Sequence, residues 1–263
     1  MTLFSGKVLL TGATGGIGKA IARAFAARGA SLILTGRRSD VLEPLAQETG
    51  GRAIACDLSQ RADVERLVTE VGAVDVLVAN AAHPGSGDFL ELDQEQIDRM
   101  LEVNLRAPIA LAHALAPAMV ERRSGHMVFV SSLAGKSASP ASSIYSATKF
   151  GLRGFALGVR EDLRQHGVGV SVVLPGFIRD AGMFADAKTS LPRYVGTRSP
   201  EDVADAVLRA IERDRAEVEV APMGVRVGAN LASLAPGLAS SMSRRLGSEQ
   251  LAARIAAGQL DKR

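Results

Sequence analysis

Lys7-Val-Leu-Leu-Thr-Gly-Ala-Thr-Gly-Gly-Ile-Gly18 is the stretch from which the rest of the 263-residue chain is read. Its first half is a short apolar run with strand character, and its second half is a glycine turn. The next residues have helical period: Ile17, Ala20, Ile21, Ala24 and Phe25 fall on one face, and Lys19, Arg23 and Arg28 on the other. Strand, glycine turn and helix in that order aim free backbone N–H groups at an anion. Gly12 allows a tight turn out of the strand. Gly16 and Gly18 remove side chains, so that a pyrophosphate can approach the helix and the helix can lie near the sheet. Gly12, Thr14, Gly15, Gly16, Ile17 and Gly18 are therefore expected to hold a dinucleotide.

The same alternation continues outward. Short apolar runs occupy 7–11, 31–35, 52–56, 75–79, 126–131, 168–174 and 217–221, with amphipathic helical stretches between them. Several runs are apolar at consecutive positions, as in strands buried on both faces of a parallel sheet. Seven such units predict an α/β chain with a doubly wound sheet covered on both faces. No linker interrupts residues 1–222, which are expected to form a single catalytic domain. Residues 223–263 are expected to form a helical extension.

The end of the second run decides which dinucleotide. A carboxylate there would take the adenine ribose 2′-hydroxyl. This chain has Thr35-Gly36-Arg37-Arg38 and no acid. Guanidinium groups bind a 2′-phosphate, often bidentately. NADP(H) is expected over NAD(H), with Arg37 as the first choice and Arg38 as the second.

Tyr145 has Lys149 four residues on, so a helix puts both on one face. Reducing a carbonyl by hydride needs a proton donor for the developing alkoxide. A phenol serves near neutral pH when a neighbouring cation stabilises its phenolate. Ser131 and Ser132 end the fifth run, at the carboxyl edge where such sheets bind ligands. Asn104 falls inside the apolar helical stripe of Ile97, Met100, Leu101 and Leu105, where a buried amide must find partners.

These residues together resemble the short-chain dehydrogenase/reductase family. The resemblance covers about residues 5–222. It rests on T-G-x3-G-x-G at 11–18, Asp57-Leu58, Asn80-Ala81-Ala82, Val103-Asn104-Leu105, Ser-Ser-x-Ala-Gly at 131–135, Tyr145-x3-Lys149 and Pro175-Gly176. It implies a Rossmann-type fold and a carbonyl/alcohol oxidoreductase, acting on a ketone or 3-oxoacyl type of substrate. Tyr145 would be the acid–base, Lys149 would lower its pKa and hold the nicotinamide ribose, and Ser132 rather than Ser131 would orient the substrate oxygen. Asn104 would support a proton relay. Asp57 and Leu58 would contact adenine, and Asn80 and Ala81 would line the adenosine ribose side. Pro175, Gly176 and backbone groups of Ile178 would meet the nicotinamide end. The family often has a threonine near the position of Asp180, which puts that local contact in doubt. The alternative is a non-catalytic NADP-binding sensor or scaffold on the same fold.

Composition narrows the remaining classes. One cysteine excludes an internal disulfide and a cysteine-based zinc site, and no H-x3-H pair offers a helical metal site. Thirty-one basic residues against 28 acidic ones are too even to point to nucleic acid. The excess is local: 223–263 holds six cations against Glu249 and Asp261, a net +4, which leaves −1 for the first 222 residues. Membrane-surface contact by this tail is a minor reading beside a cover for the cleft or a subunit contact. No signal-peptide pattern and no run of about 18 apolar residues is present, which predicts a cytoplasmic protein. The partner expected is a small, lipophilic carbonyl or alcohol substrate. Residues 83–93 and 180–199 follow sheet strands and are expected to border the substrate, and the second, with Met183, Phe184, Leu191 and Tyr194, is expected to act as a lid. A homodimer or homotetramer is the expected assembly.

Overall fold

Seven parallel strands form one sheet in the order β3-β2-β1-β4-β5-β6-β7. The structure is a computed structural model that describes residues 5–85, 87–182 and 196–237. The strands are β1 (Lys7–Thr11), β2 (Ser31–Gly36), β3 (Arg52–Ala55), β4 (Val76–Ala79), β5 (Gly125–Val130), β6 (Val168–Pro175) and β7 (Glu217–Val220). Their bounds agree with the apolar runs to within one residue at each end. The expected lid residues Met183, Phe184, Leu191 and Tyr194 lie outside the described residues.

Consecutive apolar residues serve opposite faces, as the two-residue period of a strand requires. In β1, Leu9 packs with Met127, Phe129 and Leu111 on one side, and Val8 and Leu10 pack with Ile21, Phe25 and Val203 on the other. Helices α1 (Gly16–Ala26), α2 (Ser39–Thr49) and α7 (Pro200–Glu212) cover the second face. Helices α3 (Arg61–Val71), α5 (Ala107–Arg122) and α6 (Ser143–Arg164) cover the first. The result is the doubly wound Rossmann-type sheet that the alternation implies.

Helix α4 (Gln94–Leu101) runs into α5 through a single wide turn at Glu102–Arg106. The combined helix Gln94–Arg122 is long and apolar enough to cross a bilayer by length and composition alone. Here it is a core helix, with Met100, Leu111, Leu115 and Met119 at most 4% exposed. In the extension, α8 (Met223–Leu234) stops before Pro236, which cannot continue a helix. Ala229 of α8 packs into the first core layer.

Candidate active site

In such a sheet ligands bind at the carboxyl ends of the strands, where the direction of winding reverses. That point lies between β1 and β4. A cleft of about 1060 Å³ opens there, lined by the glycine turn, the ends of β2, β4, β5 and β6, and one side of α6. Every cofactor candidate named from the sequence lines this cleft, as do Ser132, Tyr145 and Lys149. Asn104 does not. It lies behind the cleft wall and is fully buried.

The turn has little freedom. Gly12 has φ +65°, and a Cβ there would fall 2.6 Å from the Ala81 Cα. A Cβ on Gly18 would meet the Gly12 carbonyl oxygen at 2.2 Å. Gly16 is close-packed for a reason the sequence did not suggest: its Cβ would strike the Ala181 Cβ at 2.4 Å, so the segment after β6 sits against the turn. Asn80 locks the turn from β4. Its Nδ2 donates to the carbonyls of Thr11 and Gly12, at 3.1 and 3.2 Å. Thr11 Oγ1 accepts from the N–H groups of Asn80 and Ala81, both at 3.1 Å. The start of α1 has no side-chain cap and no acidic residue in its first turn. Those N–H groups face the cleft ready for an anion.

The two arginines after β2 separate in role. Arg38 Nη2 donates to the Thr14 carbonyl at 2.9 Å and so braces the turn. Arg37 is exposed, lines the cleft and has no hydrogen bond or ion pair among the described residues. Asp57 Oδ1 accepts from Ser59 N and Oγ at 3.0 and 2.9 Å, which shapes the loop after β3.

Ser131 and Ser132 also divide. Ser131 is buried, and its Oγ donates to the Lys149 carbonyl at 2.9 Å, tying β5 to α6. Ser132 Oγ accepts from Ala134 N at 3.1 Å and reaches the Pro175 carbonyl at 3.4 Å. Tyr145 and Lys149 share one face of α6, with Nζ 5.6 Å from the ring centroid. Lys149 is 1% exposed and donates to the Val130 carbonyl at 3.1 Å. Burial pushes the Tyr145 phenol up to about 12, while a hydrogen bond with Ser132 works the other way. Burial pushes Lys149 down to about 8. The net shift of Tyr145 is thus upward, and the group that opposes burial is Ser132, not the Lys149 that the resemblance implies.

Asn104 sits in the wide turn at Glu102–Arg106. Its Oδ1 accepts from His83 N at 2.6 Å, and its Nδ2 donates to the His83 carbonyl at 3.0 Å and to Thr148 Oγ1 at 3.4 Å. Thr148 Oγ1 in turn donates to the Tyr145 carbonyl at 2.7 Å. The amide thus links the loop after β4 to the helix that carries Tyr145. Near the mouth, Ile178 is buried and pairs with Arg198 as an isolated bridge, and Asp180 takes φ +63°. Gly176 is tight, with a Cβ there 3.0 Å from Ala221 Cβ.

Sequence reasoning missed Cys56, Arg99 and Val103, which also line the cleft, as does His83 at the start of the 83–93 stretch expected to border the substrate. Cys56 and Val103 stood beside chosen residues and were legible by adjacency. Arg99 left no local signal. Burial first, and then the charges of Arg37 and Arg99, push His83 down to about 4, so it is neutral at pH 7. Burial likewise pushes the Cys56 thiol up to about 11, which leaves it protonated. Among the described residues no cluster of metal-ligating side chains occurs.

A family model described as short chain dehydrogenase matches residues 6–191. The chain is 38% identical over 230 residues to "Ketoacyl reductase HetN" of Nostoc, covering 84% of this chain and 80% of that one. It is 34% identical to bovine "Dehydrogenase/reductase SDR family member 7B", with 88% and 78% covered. Among solved structures, a short-chain dehydrogenase from Sphingobium yanoikuyae in complex with NADPH superposes with a TM-score of 0.77 at 30% identity, covering 89% of this chain and 94% of that one. A metagenomic short-chain oxidoreductase in complex with NADP gives 0.68 at 33% identity, with 84% and 98% covered.

Proposed function

Because the chain belongs to the short-chain dehydrogenase family and is an NADP(H)-binding oxidoreductase of the carbonyl/alcohol class, we propose that Tyr145, Ser132 and Lys149 carry its chemistry on a ketone or 3-oxoacyl substrate. The observation behind this reading is that all three side chains line the same cleft as the glycine turn and Arg37. The cleft fits the cofactor: an uncapped helix start for the pyrophosphate, and a free guanidinium for the 2′-phosphate. The nicotinamide, when bound, supplies a hydride to the carbonyl carbon or accepts one from the alcohol carbon.

Ser132 Oγ orients the substrate oxygen. The Tyr145 hydroxyl gives its proton to that oxygen in reduction and takes it back in oxidation. Lys149 stands one helical turn away and stabilises the phenolate left behind. Its pKa near 8 keeps most of it charged at pH 7. Asn104 would support a proton-relay water near Lys149, and its bonds to His83 and Thr148 fix its place. Residues 1–222 form the catalytic unit and 223–263 an extension of it, of which Val225 and Ala229 line the cleft. Assembly as a homodimer or homotetramer is part of this reading.

The test is NADPH oxidation against a panel of aliphatic, aromatic and acyl-thioester ketones, with Tyr145→Phe as control. Wild-type turnover in that variant would overturn the assignment. Cofactor binding with no turnover on any ketone or alcohol would favour the sensor or scaffold reading.

A further inference from the structure

The turn that carries Ser132 and the helix that walls one side of the cleft are tied to the same buried cation. Ser132 caps a short helical turn, Leu133–Gly135. Gly135 N donates to the Ser132 carbonyl and Lys136 N to the Leu133 carbonyl, both at 2.9 Å. A Cβ on Gly135 would fall 2.7 Å from the Lys149 carbonyl, so the turn lies close against α6. A turn held at both ends in this way passes a displacement of Lys136 back to Ser132.

Lys136 is buried, and its charge is met from β7 and α8. Its Nζ donates to Glu219 Oε1 at 2.6 Å and to Asn230 Oδ1 at 3.0 Å, and it also pairs with Glu217. Each carboxylate has a second cation. Arg153 Nε of α6 donates to Glu217 Oε2 at 2.6 Å, and Arg226 Nε of α8 donates to Glu219 Oε2 at 2.9 Å. Asn230 Nδ2 donates to Glu219 Oε1 at 3.0 Å. The network thus joins the serine turn, α6, β7 and α8. Charge-assisted bonds of this kind are directional, and removing one partner of a buried pair leaves the other uncompensated.

Apolar burial holds α8 only weakly. Ala229 alone among its described residues is buried, and Val225 is partly so, while Met223, Val227, Leu231 and Leu234 are exposed. Val225 and Ala229 line the cleft together with Ser132, Leu133 and Tyr145. The polar network therefore sets how this apolar wall stands relative to the serine and the tyrosine.

We propose that Lys136 is a positioning residue for the oxidoreductase reaction. It fixes Ser132 toward the substrate oxygen and, through Glu219 and Asn230, fixes α8 as the wall that meets the apolar remainder of the substrate. A misplacement of about 1 Å in such a site can cost about 10²-fold. The Ser132 clause rests on the role given to Ser132 above. The tie between the turn and α8 rests on the bonds alone.

Lys136→Met, Lys136→Arg and the pair Arg226→Ala with Asn230→Ala are compared with wild type on butanone and on a long-chain methyl ketone. Lys136→Met is expected to lower kcat about tenfold or more on both ketones, with NADPH affinity by fluorescence titration within about twofold. Lys136→Arg keeps the charge and is expected to retain kcat within about threefold. The α8 pair leaves Lys136 and both carboxylates in place. It is expected to raise the KM for the long-chain ketone about fivefold or more, with kcat and the butanone KM unchanged. Hydrogen exchange at 223–234 is expected to quicken in Lys136→Met and in the α8 pair, and at 132–137 in Lys136→Met alone. Unchanged kcat in Lys136→Met overturns the proposal. So does a loss of NADPH affinity as large as the loss of kcat, which marks a general collapse of the cleft. If Lys136→Met does not fold, the α8 pair decides: equal KM changes for the two ketones, or none, overturn the proposal. Wild-type protein inactive on every ketone and alcohol overturns the reading of Ser132 and Tyr145, while quickened exchange at both segments of Lys136→Met still upholds the tie.

Discussion

The Asn104 amide holds both backbone groups of His83, accepting from its N–H at 2.6 Å and donating to its carbonyl at 3.0 Å. Two segments 21 residues apart in sequence are thereby joined as two strands would be, by a side chain that imitates the edge of a sheet. The remaining contact of the amide, to Thr148, carries that link to α6.

Asn104→Leu keeps the branched outline of the side chain and removes the clamp. It leaves a buried N–H and carbonyl unpaired, each costing about 1–3 kcal/mol. Urea unfolding is expected to show a loss of about 2–5 kcal/mol, with NADPH turnover reduced further than stability explains. An unchanged urea midpoint would mean that the loop after β4 is held by something else.

Tyr145→Phe removes one oxygen from a residue only 9% exposed and alters no backbone contact. Loss of a general acid–base typically costs about 10²- to 10⁴-fold. That loss is expected in kcat, while NADPH affinity, read by fluorescence titration, stays within about twofold. A parallel loss of affinity would point to a collapsed cleft rather than a missing proton donor.

Arg37→Ala is expected to raise the KM for NADPH about tenfold or more and to leave NADH unaffected, because a charge-assisted bond to the 2′-phosphate is absent from NADH. Arg38→Ala should change cofactor choice less, since that guanidinium is engaged by the Thr14 carbonyl. Equal use of NADH and NADPH by the wild-type enzyme would remove the basis of both statements.

His126 lies buried near the amino end of β5, with Nε2 2.8 Å from Ser171 Oγ. Burial lowers its pKa from 6.5 to about 4, against the opposing pull of Asp214. A histidine depressed on folding binds fewer protons folded than unfolded. Its contribution is therefore intact above pH 6.5 and is lost as pH falls through about 4. The cost approaches roughly 3 kcal/mol, and His83 adds in the same direction. Urea midpoints measured from pH 7 to pH 4 should fall accordingly, and His126→Gln should flatten part of that slope. A slope identical to wild type would show that other groups carry the acid sensitivity.

Much of the fold could be read along the chain because its signals are short-range. A strand buried on both faces writes itself as a continuous apolar run, a helix as a 3.6-residue period, and a phosphate turn as glycines between them. Tyr145 and Lys149 needed only the pitch of one helix. The chain ranks Arg37 ahead of Arg38, and the resemblance ranks Ser132 ahead of Ser131, but neither ranking has a local physical cause. Each pair has equal chemistry at adjacent positions. What separates the members is where the folded chain sends them: Arg38 to the Thr14 carbonyl, and Ser131 to the carbonyl of Lys149.

The sequence by itself determined the alternating architecture, the family resemblance, the NADP(H) preference and the placing of Tyr145 and Lys149 on one helical face, because each rests on residues a few positions apart. Tertiary structure alone decided the remaining features. These are the order of the strands, the packing of Ala181 against Gly16, the clamp of Asn104 on His83, and the network from Lys136 to α8 that leaves an apolar stripe facing outward. Those contacts join residues 21 to 165 positions apart, and no local period or spacing encodes a meeting over that distance.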